Sequence, residues 1–247
     1  MNALERKTGG FLIGIIVALI GISPNLEVST MGKKSPKVSI NIGTYNRKDL
    51  LDYTLASIYR QEGKGVDFEV IVIDDGGSDD TKMLKRKYPK FTYRYSKNYG
   101  YLGDGSSRAY NMAAEMSRGE IIIQQNAECY HHSENVIADL AAACGKHHPV
   151  FATVINRLGD PRTITDKEVK EASGEQVATT VQYSGLSRQL PWFFCGAILR
   201  RDWNDLGGYA VKKNQVDVEF GERMIAAGYA FEWLPDITVI HQTHPKG

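Results

Sequence analysis

Three short polar clusters hold the residue types that engage charged, hydrogen-bonding ligands: Thr44-Tyr45-Asn46-Arg47, Asp74-Asp75 and Asn126-Ala127-Glu128. Each follows an apolar, β-branched run. Carboxylates and amides placed in this way can hydrogen-bond a nucleobase and ribose, or hold a cation against a diphosphate. Asp74-Asp75-Gly76-Gly77, taken alone, reads as a solvated turn, because Asp and Gly are ordinary turn residues. Three such clusters at three strand ends favour a shared ligand instead.

The elements that position them alternate. Residues 38–42 alternate apolar and polar side chains and are β-branched, which predicts a strand. Leu51, Leu55, Ile58 and Tyr59 recur at helical spacing after Asn46, a candidate helix cap. Residues 68–73 predict a second strand, 81–88 a short basic helix and 91–95 a third strand. A glycine-rich loop over 98–105 leads to a helix over 106–118 and a fourth, central strand from Ile121. This order predicts an α/β fold with a mostly parallel central sheet and crossover helices. In such a sheet ligands bind outside the carboxyl ends of the strands, so the three clusters should face one crevice.

The second half is less regular. A helix is expected over 132–146, a strand over 150–155, a helix over 216–227 and a last strand over 231–240. Residues 157–188 are polar and read as a long loop of the kind that carries specificity. The pairs His131-His132 and His147-His148 are expected at the surface. Trp203 and Trp233 are expected in the core.

Composition narrows the class. Of 247 residues, 42% are hydrophobic and 24% charged, which excludes wholesale disorder and a polytopic membrane protein. A net charge of +1 argues against a protein built to coat nucleic acid. Three widely spaced cysteines suggest neither a disulfide framework nor a zinc site and fit a reducing compartment. Residues 11–22 are an apolar run after Arg6 and Lys7. Twelve helical residues rise about 18 Å, short of the roughly 30 Å hydrocarbon core. A short membrane-associated helix, a signal peptide and a dispensable extension all remain open readings of residues 1–36. The expected location is cytoplasmic or membrane-associated facing the cytoplasm, with a secretory-pathway anchor as the other case.

Several segments resemble the family 2 glycosyltransferases of GT-A fold. They are VSINIGTYNR, EVIVIDDGGSDDT, Gly103-Asp-Gly-Ser-Ser-Arg-Ala-Tyr-Asn-Met-Ala113, Trp192-Phe-Phe-Cys-Gly-Ala-Ile-Leu-Arg-Arg201, Gly207-Gly208-Tyr209 and Asp217-Val-Glu-Phe-Gly-Glu-Arg223. They occur in that family's order over nearly all of residues 37–244. The resemblance implies one domain over 37–247, with a nucleotide-binding half (37–130) and an acceptor half (131–247).

It also implies roles. Thr44, Tyr45 and Arg47 would line a nucleotide pocket, and Asp74 or Asp75 would read the base. The family's Asp-x-Asp falls on Asn126-Ala127-Glu128, a departure. Asn126 can only hydrogen-bond, for example to a ribose hydroxyl, while Glu128 retains a charge for a divalent cation. Fewer anionic ligands imply weaker cation binding before the donor's phosphates arrive. His241 stands where the family often places a histidine ligand, with His244 as a second candidate. An imidazole beside a carboxylate suits Mn²⁺ better than Mg²⁺.

Asp217 occupies the position of the family's catalytic base. Glu219 is the second candidate, although Glu219 and Arg223 are also spaced for a helix-surface ion pair. Gly196 would admit a ligand close to the backbone or simply fit packing, and Trp192 would stack on a sugar ring. The implied activity is metal-dependent, inverting transfer of a sugar from a nucleotide-diphosphate sugar to a hydroxyl acceptor, itself a sugar by expectation. A catalytically weakened sugar-nucleotide-binding domain is the alternative. A phosphotransfer reading through Asp74 or Asp75 fails, because such enzymes need Asp-x-Asp-x-Thr after the first strand, where this chain has Gly43-Thr44-Tyr45-Asn46.

Overall fold

A computed structural model describes residues 36–97, 105–172, 178–183, 186–211 and 216–243. The apolar run 11–22, the rest of segment 1–36, most of the glycine-rich loop and His244 lie outside the described residues.

The first half runs β1 (Val38–Thr44), α1 (Lys48–Tyr59), β2 (Phe68–Asp74), a 3-10 helix at Thr81–Arg86, β3 (Thr92–Tyr95), α2 (Gly105–Met116) and β4 (Ile121–Asn126). The four strands lie side by side in the order β3-β2-β1-β4, all parallel. Val38, Ile40 and Ile42 pack with Leu51, Leu55 and Ile58 of α1 on one face. Ile71 and Ile73 pack with Ala109 and Ala113 of α2 on the other. With both faces covered, the polar alternation of β1 does not mark an exposed face. Ser39 and Asn41 are buried, with the Ser39 hydroxyl donating to Glu69 at 2.7 Å and Asn41 Oδ1 accepting from Ser117 at 3.0 Å.

The second half contributes β5 (Cys129–His131), α3 (Val136–Ala143), β6 (Val150–Arg157), α4 (Asp166–Glu171), β7 (Ala178–Tyr183), β8 (Leu186–Pro191), β9 (Cys195–Leu199), α5 (Arg200–Asp205), α6 (Val216–Ala226) and β10 (Glu232–Gln242). The main sheet has eight strands in the order β3-β2-β1-β4-β9-β6-β10-β5, and β7-β8 form a separate hairpin. β9 runs antiparallel between β4 and β6, while β6 and β10 are parallel. The result is the expected α/β sheet, parallel in its first half and mixed in its second.

Three expectations need correction. The helix placed at 132–146 is only Val136–Ala143, because residues 129–131 pair with β10 as an edge strand. Residues 157–188 are not a structureless loop: they hold a 3-10 turn at Pro161–Thr163, α4 and the strands of the hairpin. α4 escapes an apolar-period search because its determinant is polar, a reciprocal capping box between Thr165 and Glu168. Finally, His131 is fully buried rather than at the surface. Among the described residues, no helix is long and apolar enough to cross a membrane.

Candidate active site

A cleft of about 400 Å³ opens at the carboxyl ends of β1, β2 and β4, lined by Thr44, Tyr45, Arg47, Asp75, Tyr110, Asn126, Glu128 and Asp217, among others. Adjacent parallel strands bring the three polar clusters to one edge: Thr44 is in register with Asp74, and Gly43 with Asn126.

The turn after β1 is shaped by Asn46. It does not cap α1, whose N-cap position is Arg47; it adopts a left-handed backbone (φ 52°), and its Oδ1 accepts from the Ser78 amide at 2.7 Å. This bond ties the β1 turn to the β2 turn. Gly77 is needed there, since a Cβ would meet Asp74 Oδ1 at 2.8 Å and the Asn46 nitrogen at 3.1 Å. The two aspartates divide their tasks. Asp74 is occupied inside the turn, accepting from the Tyr93 hydroxyl and the Gly77 amide, each at 2.8 Å. Burial raises its carboxyl above the ordinary range despite those bonds. Asp75 is the one that lines the cleft.

Past β4, Asn126 and Glu128 both face the cleft. The Tyr110 hydroxyl lies 2.8 Å from Asn126 Oδ1 and 3.1 Å from the Gln125 carbonyl. Burial, then the charges of Glu128 and Asp217, hold the Tyr110 phenol far above its usual range. Sequence reasoning missed Tyr110. It lies on α2 beside the apolar positions that pack the helix, and only the topology reveals that its tip reaches the β4 terminus.

Glu128 sits between a guanidinium and an imidazole. Arg47 Nε is 3.8 Å from Oε2, and His241 Nε2 is 3.6 Å from Oε1. The other ring nitrogen of His241 bonds Asn156 Oδ1 at 2.7 Å. If Nδ1–H donates to that oxygen, the Nε2 lone pair turns toward Glu128, which is the tautomer a metal ligand requires. Among the described residues no cluster of three or more His, Cys, Asp or Glu is placed to hold a metal. Glu128 and His241 form a two-donor pair whose chemistry fits a divalent cation completed by ligand oxygens.

The opposite wall comes from the second half. Asp217 lies in the first turn of α6. Burial pushes its carboxyl up to about 6, opposed by the Tyr209 hydroxyl and the Phe193 backbone amide. Phe193, Tyr209, Trp203 and Phe220 form an aromatic cluster around this point, with ring centroids 4.9 to 6.0 Å apart. Glu219 is engaged elsewhere. Its carboxylate takes Arg223 Nε at 2.7 Å and Nη2 at 2.9 Å, and Arg223 in turn donates to the Leu206 and Gly208 carbonyls.

Gly196 lies inside the sheet, in register with Gln124 and Phe151. A Cβ there would fall 2.5 Å from the Phe151 ring. Its smallness therefore serves packing, and the expectation that it lets a ligand approach is set aside. Trp192 is 40% exposed and stacks on Phe194 (centroids 5.9 Å, planes 29° apart), which meets His241 edge-on at 4.6 Å. Trp203 is buried, as expected, and Trp233 packs against the same cluster of core residues.

Fold and cleft together define a mixed α/β protein with a polar-lined cleft at its parallel strand ends. Residues 39–205 match Glycosyl transferase family 2. Validoxylamine A glucosyltransferase of Streptomyces hygroscopicus subsp. limoneus is 42% identical over 69 residues, 27% of this chain and 15% of that protein. The mannosyltransferase PcManGT of Pyrobaculum calidifontis, solved with GDP-Man and Mn²⁺, superimposes with a TM-score of 0.61 at 20% identity, covering 87% of this chain and 59% of that one. S. aureus TarS 1-349, solved with UDP-GlcNAc, gives 0.61 at 18% identity, covering 85% and 60%. The chain thus covers 15% of the length of the first of these proteins and about 60% of the two solved ones. It belongs to glycosyl transferase family 2, and its fold is GT-A.

Proposed function

We propose that this chain transfers a sugar from a nucleotide-diphosphate sugar to a hydroxyl acceptor, with inversion and with a divalent cation. The observation that carries the reading is the convergence of Asp75, Asn126, Glu128 and Asp217 on one cleft from remote parts of the chain. Thr44, Tyr45 and Asp75 hold the nucleoside end of the donor. Asn126 hydrogen-bonds a donor hydroxyl, and Arg47 faces the diphosphate. Glu128 and His241 would hold the cation, which would supply positive charge beside the departing diphosphate. Mn²⁺ suits this carboxylate–imidazole pair better than Mg²⁺. PcManGT with GDP-Man and Mn²⁺ and TarS with UDP-GlcNAc support a sugar-nucleotide donor.

Asp217 takes the proton from the acceptor hydroxyl as that oxygen attacks the anomeric carbon. A carboxyl raised to about 6 remains ionised at neutral pH while being a stronger base than an exposed aspartate. Trp192 offers a ring face to an acceptor sugar. The single domain over 37–247 is part of this proposal.

The test is incubation of the full chain with a panel of sugar nucleotides, with and without Mn²⁺, following release of nucleoside diphosphate. Slow Mn²⁺-dependent hydrolysis of one donor is expected. Tight donor binding without turnover, in water or with saccharide acceptors, would select the binding-domain reading instead.

A further inference from the structure

A chain of buried side chains runs beside the Asn126–Glu128 turn and ends on the carbonyl of Cys129, the residue after it. His131 is fully buried on β5, and both ring nitrogens are engaged at 2.7 Å, Nδ1 by Gln61 Nε2 and Nε2 by Gln125 Oε1. Gln61 and Gln125 are themselves buried. The hydrogen directions follow from the ends of the chain. Gln61 Oε1 accepts from the Ile137 amide at 3.0 Å, and its Nε2 also donates to the Ser57 carbonyl at 3.0 Å. Gln61 therefore presents its second N–H to His131, so Nδ1 accepts and Nε2–H donates. Gln125, having accepted, donates from Nε2 to the Cys129 carbonyl at 2.8 Å. Every polar group in the series has one role, and a protonated imidazole would lose one of its two partners.

The turn above is suspended by its own carbonyls. Ala127 O accepts from Thr54 Oγ1 at 2.7 Å, and Glu128 O accepts from the Gln242 amide and Nε2 at 3.0 and 3.1 Å. The backbone N–H of His131 donates to Ser57 Oγ at 2.9 Å, and Ser57 donates to Thr54 O at 2.7 Å. The α1 segment is thus fastened beside the turn twice, through Thr54 within the helix directly and through Gln61, two residues past its end, by way of His131. Glu128 and Cys129 are adjacent, so the carbonyl that ends the chain sits one residue from the carboxylate facing His241.

We infer that His131 is a positioning residue: as a neutral bridge from Gln61 to Gln125 it fixes the Asn126–Glu128 turn so that Glu128 faces His241 across the cation site. The inference rests on the proposed role of Glu128 and His241 as cation ligands. Partners bonded directly to a metal ligand are worth about 10- to 100-fold in metal affinity. His131 acts further out, through Gln125 and the Cys129 carbonyl, so the lower end of that range is expected. Its effect should fall on the cation, because Thr44 and Asp75 stand at the ends of other strands.

The test measures UDP and GDP affinity of the full chain by calorimetry, with and without Mn²⁺. The ratio of the two affinities is the readout. In the wild type Mn²⁺ should tighten nucleotide binding. His131→Leu keeps volume but removes both bonds, and should cut that ratio about 10-fold while leaving metal-free affinity within about twofold. His131→Gln, which can accept and donate, should restore most of it. If His131→Leu does not fold, Gln61→Met removes the donor to Nδ1 and should lower the ratio in the same direction. A folded His131→Leu or Gln61→Met variant with the wild-type ratio would overturn the inference and leave His131 a merely structural residue. Wild-type protein that shows no Mn²⁺ effect would instead remove the cation reading itself, and the positioning role with it.

Discussion

The two halves of the molecule place their functional groups by different physics. In the first, the polar residues of the cleft are set by backbone register. β1, β2 and β4 are paired along their whole length, so Thr44, Asp75 and Asn126 follow from where three buried strands stop. In the second half, Asp217 is set by packing of α6 against an aromatic cluster, and His241 by an Asn156 bond and an edge contact from Phe194. Register tolerates side-chain changes, because backbone hydrogen bonds do not depend on them. Packing does not. Substitutions in the first half should therefore act on ligands, and those in the second should mix chemistry with stability.

Asp217→Asn gives the largest effect and the clearest mixture. Turnover should fall by roughly 10²-fold or more while nucleotide binding persists. In the wild type the rate should rise as pH increases through about 6, where the carboxyl ionises, and then level off. The sign for stability is opposite. This carboxyl is raised in the folded state from 3.8 to about 6, so its buried charge destabilises the fold above pH 6, and the penalty fades as pH falls toward 4. Asp217→Asn should thus raise the melting temperature at pH 7.5 and flatten its dependence between pH 6 and 4. A variant with near-normal turnover would remove Asp217 from the base role. Loss of turnover together with a lower melting temperature would mean that packing, not chemistry, was damaged.

Glu128→Ala, at the cleft, and His241→Ala, behind Glu128, sharpen the contrast from the two halves of the molecule. Each should weaken Mn²⁺-dependent nucleotide binding by about 10-fold or more, since loss of even a ligand's outer partner costs that much. His241→Ala should also lower stability, because it removes a ring contact from Phe194 and one hydrogen bond from Asn156. The Glu128 carbonyl keeps its two bonds from Gln242 when the side chain is lost, so Glu128→Ala should cost less stability. Equal stability losses in the two variants would break the distinction between register and packing.

Gly196→Ala is the pure packing case. The added methyl would collide with Phe151, and overpacking of this kind costs about 1–3 kcal/mol. Denaturant melts should show that loss, with donor affinity unchanged in the folded fraction. Loss of donor affinity at full stability would return Gly196 to the ligand.

How far the sequence was readable follows the same division. The strands of the first half are long, apolar and bounded by turn residues, so the pattern alone brings their polar ends to one crevice. Within that crevice the pattern leaves Asp74 and Asp75 equivalent. Only the Tyr93 hydroxyl, arriving from β3, assigns Asp74 to the turn and Asp75 to the cleft. Asn46 looked like a helix cap because local chemistry favours Asn there, but the Ser78 amide of a neighbouring turn claimed its oxygen. His131 was misread because adjacent histidines beside a polar stretch look exposed. Its ring is satisfied in the core by Gln125 and by Gln61, and Gln61 lies 70 residues away, beyond any sequence window. The hairpin and α4 were lost for want of apolar period, since α4 is stabilised by a capping box.

Glu219 supplies the smallest effect and the sharpest discrimination. It lies two residues from Asp217 on the same helix, and a short acidic side chain at either place satisfies the motif. The helical turn separates them: at i,i+4 Glu219 meets Arg223, and the guanidinium continues to the Leu206 and Gly208 carbonyls. A partly exposed pair of this kind contributes about 0.5 kcal/mol. Glu219→Gln keeps an acceptor for one guanidinium N–H, so the melting temperature should fall by only a degree or two, with kcat within about twofold and the pH profile unmoved. A kcat loss approaching that of Asp217→Asn would mean that the base is shared between two carboxylates. It would also mean that α6 turns the Glu219 side of its first turn to the cleft, away from the face on which Glu219 holds Arg223.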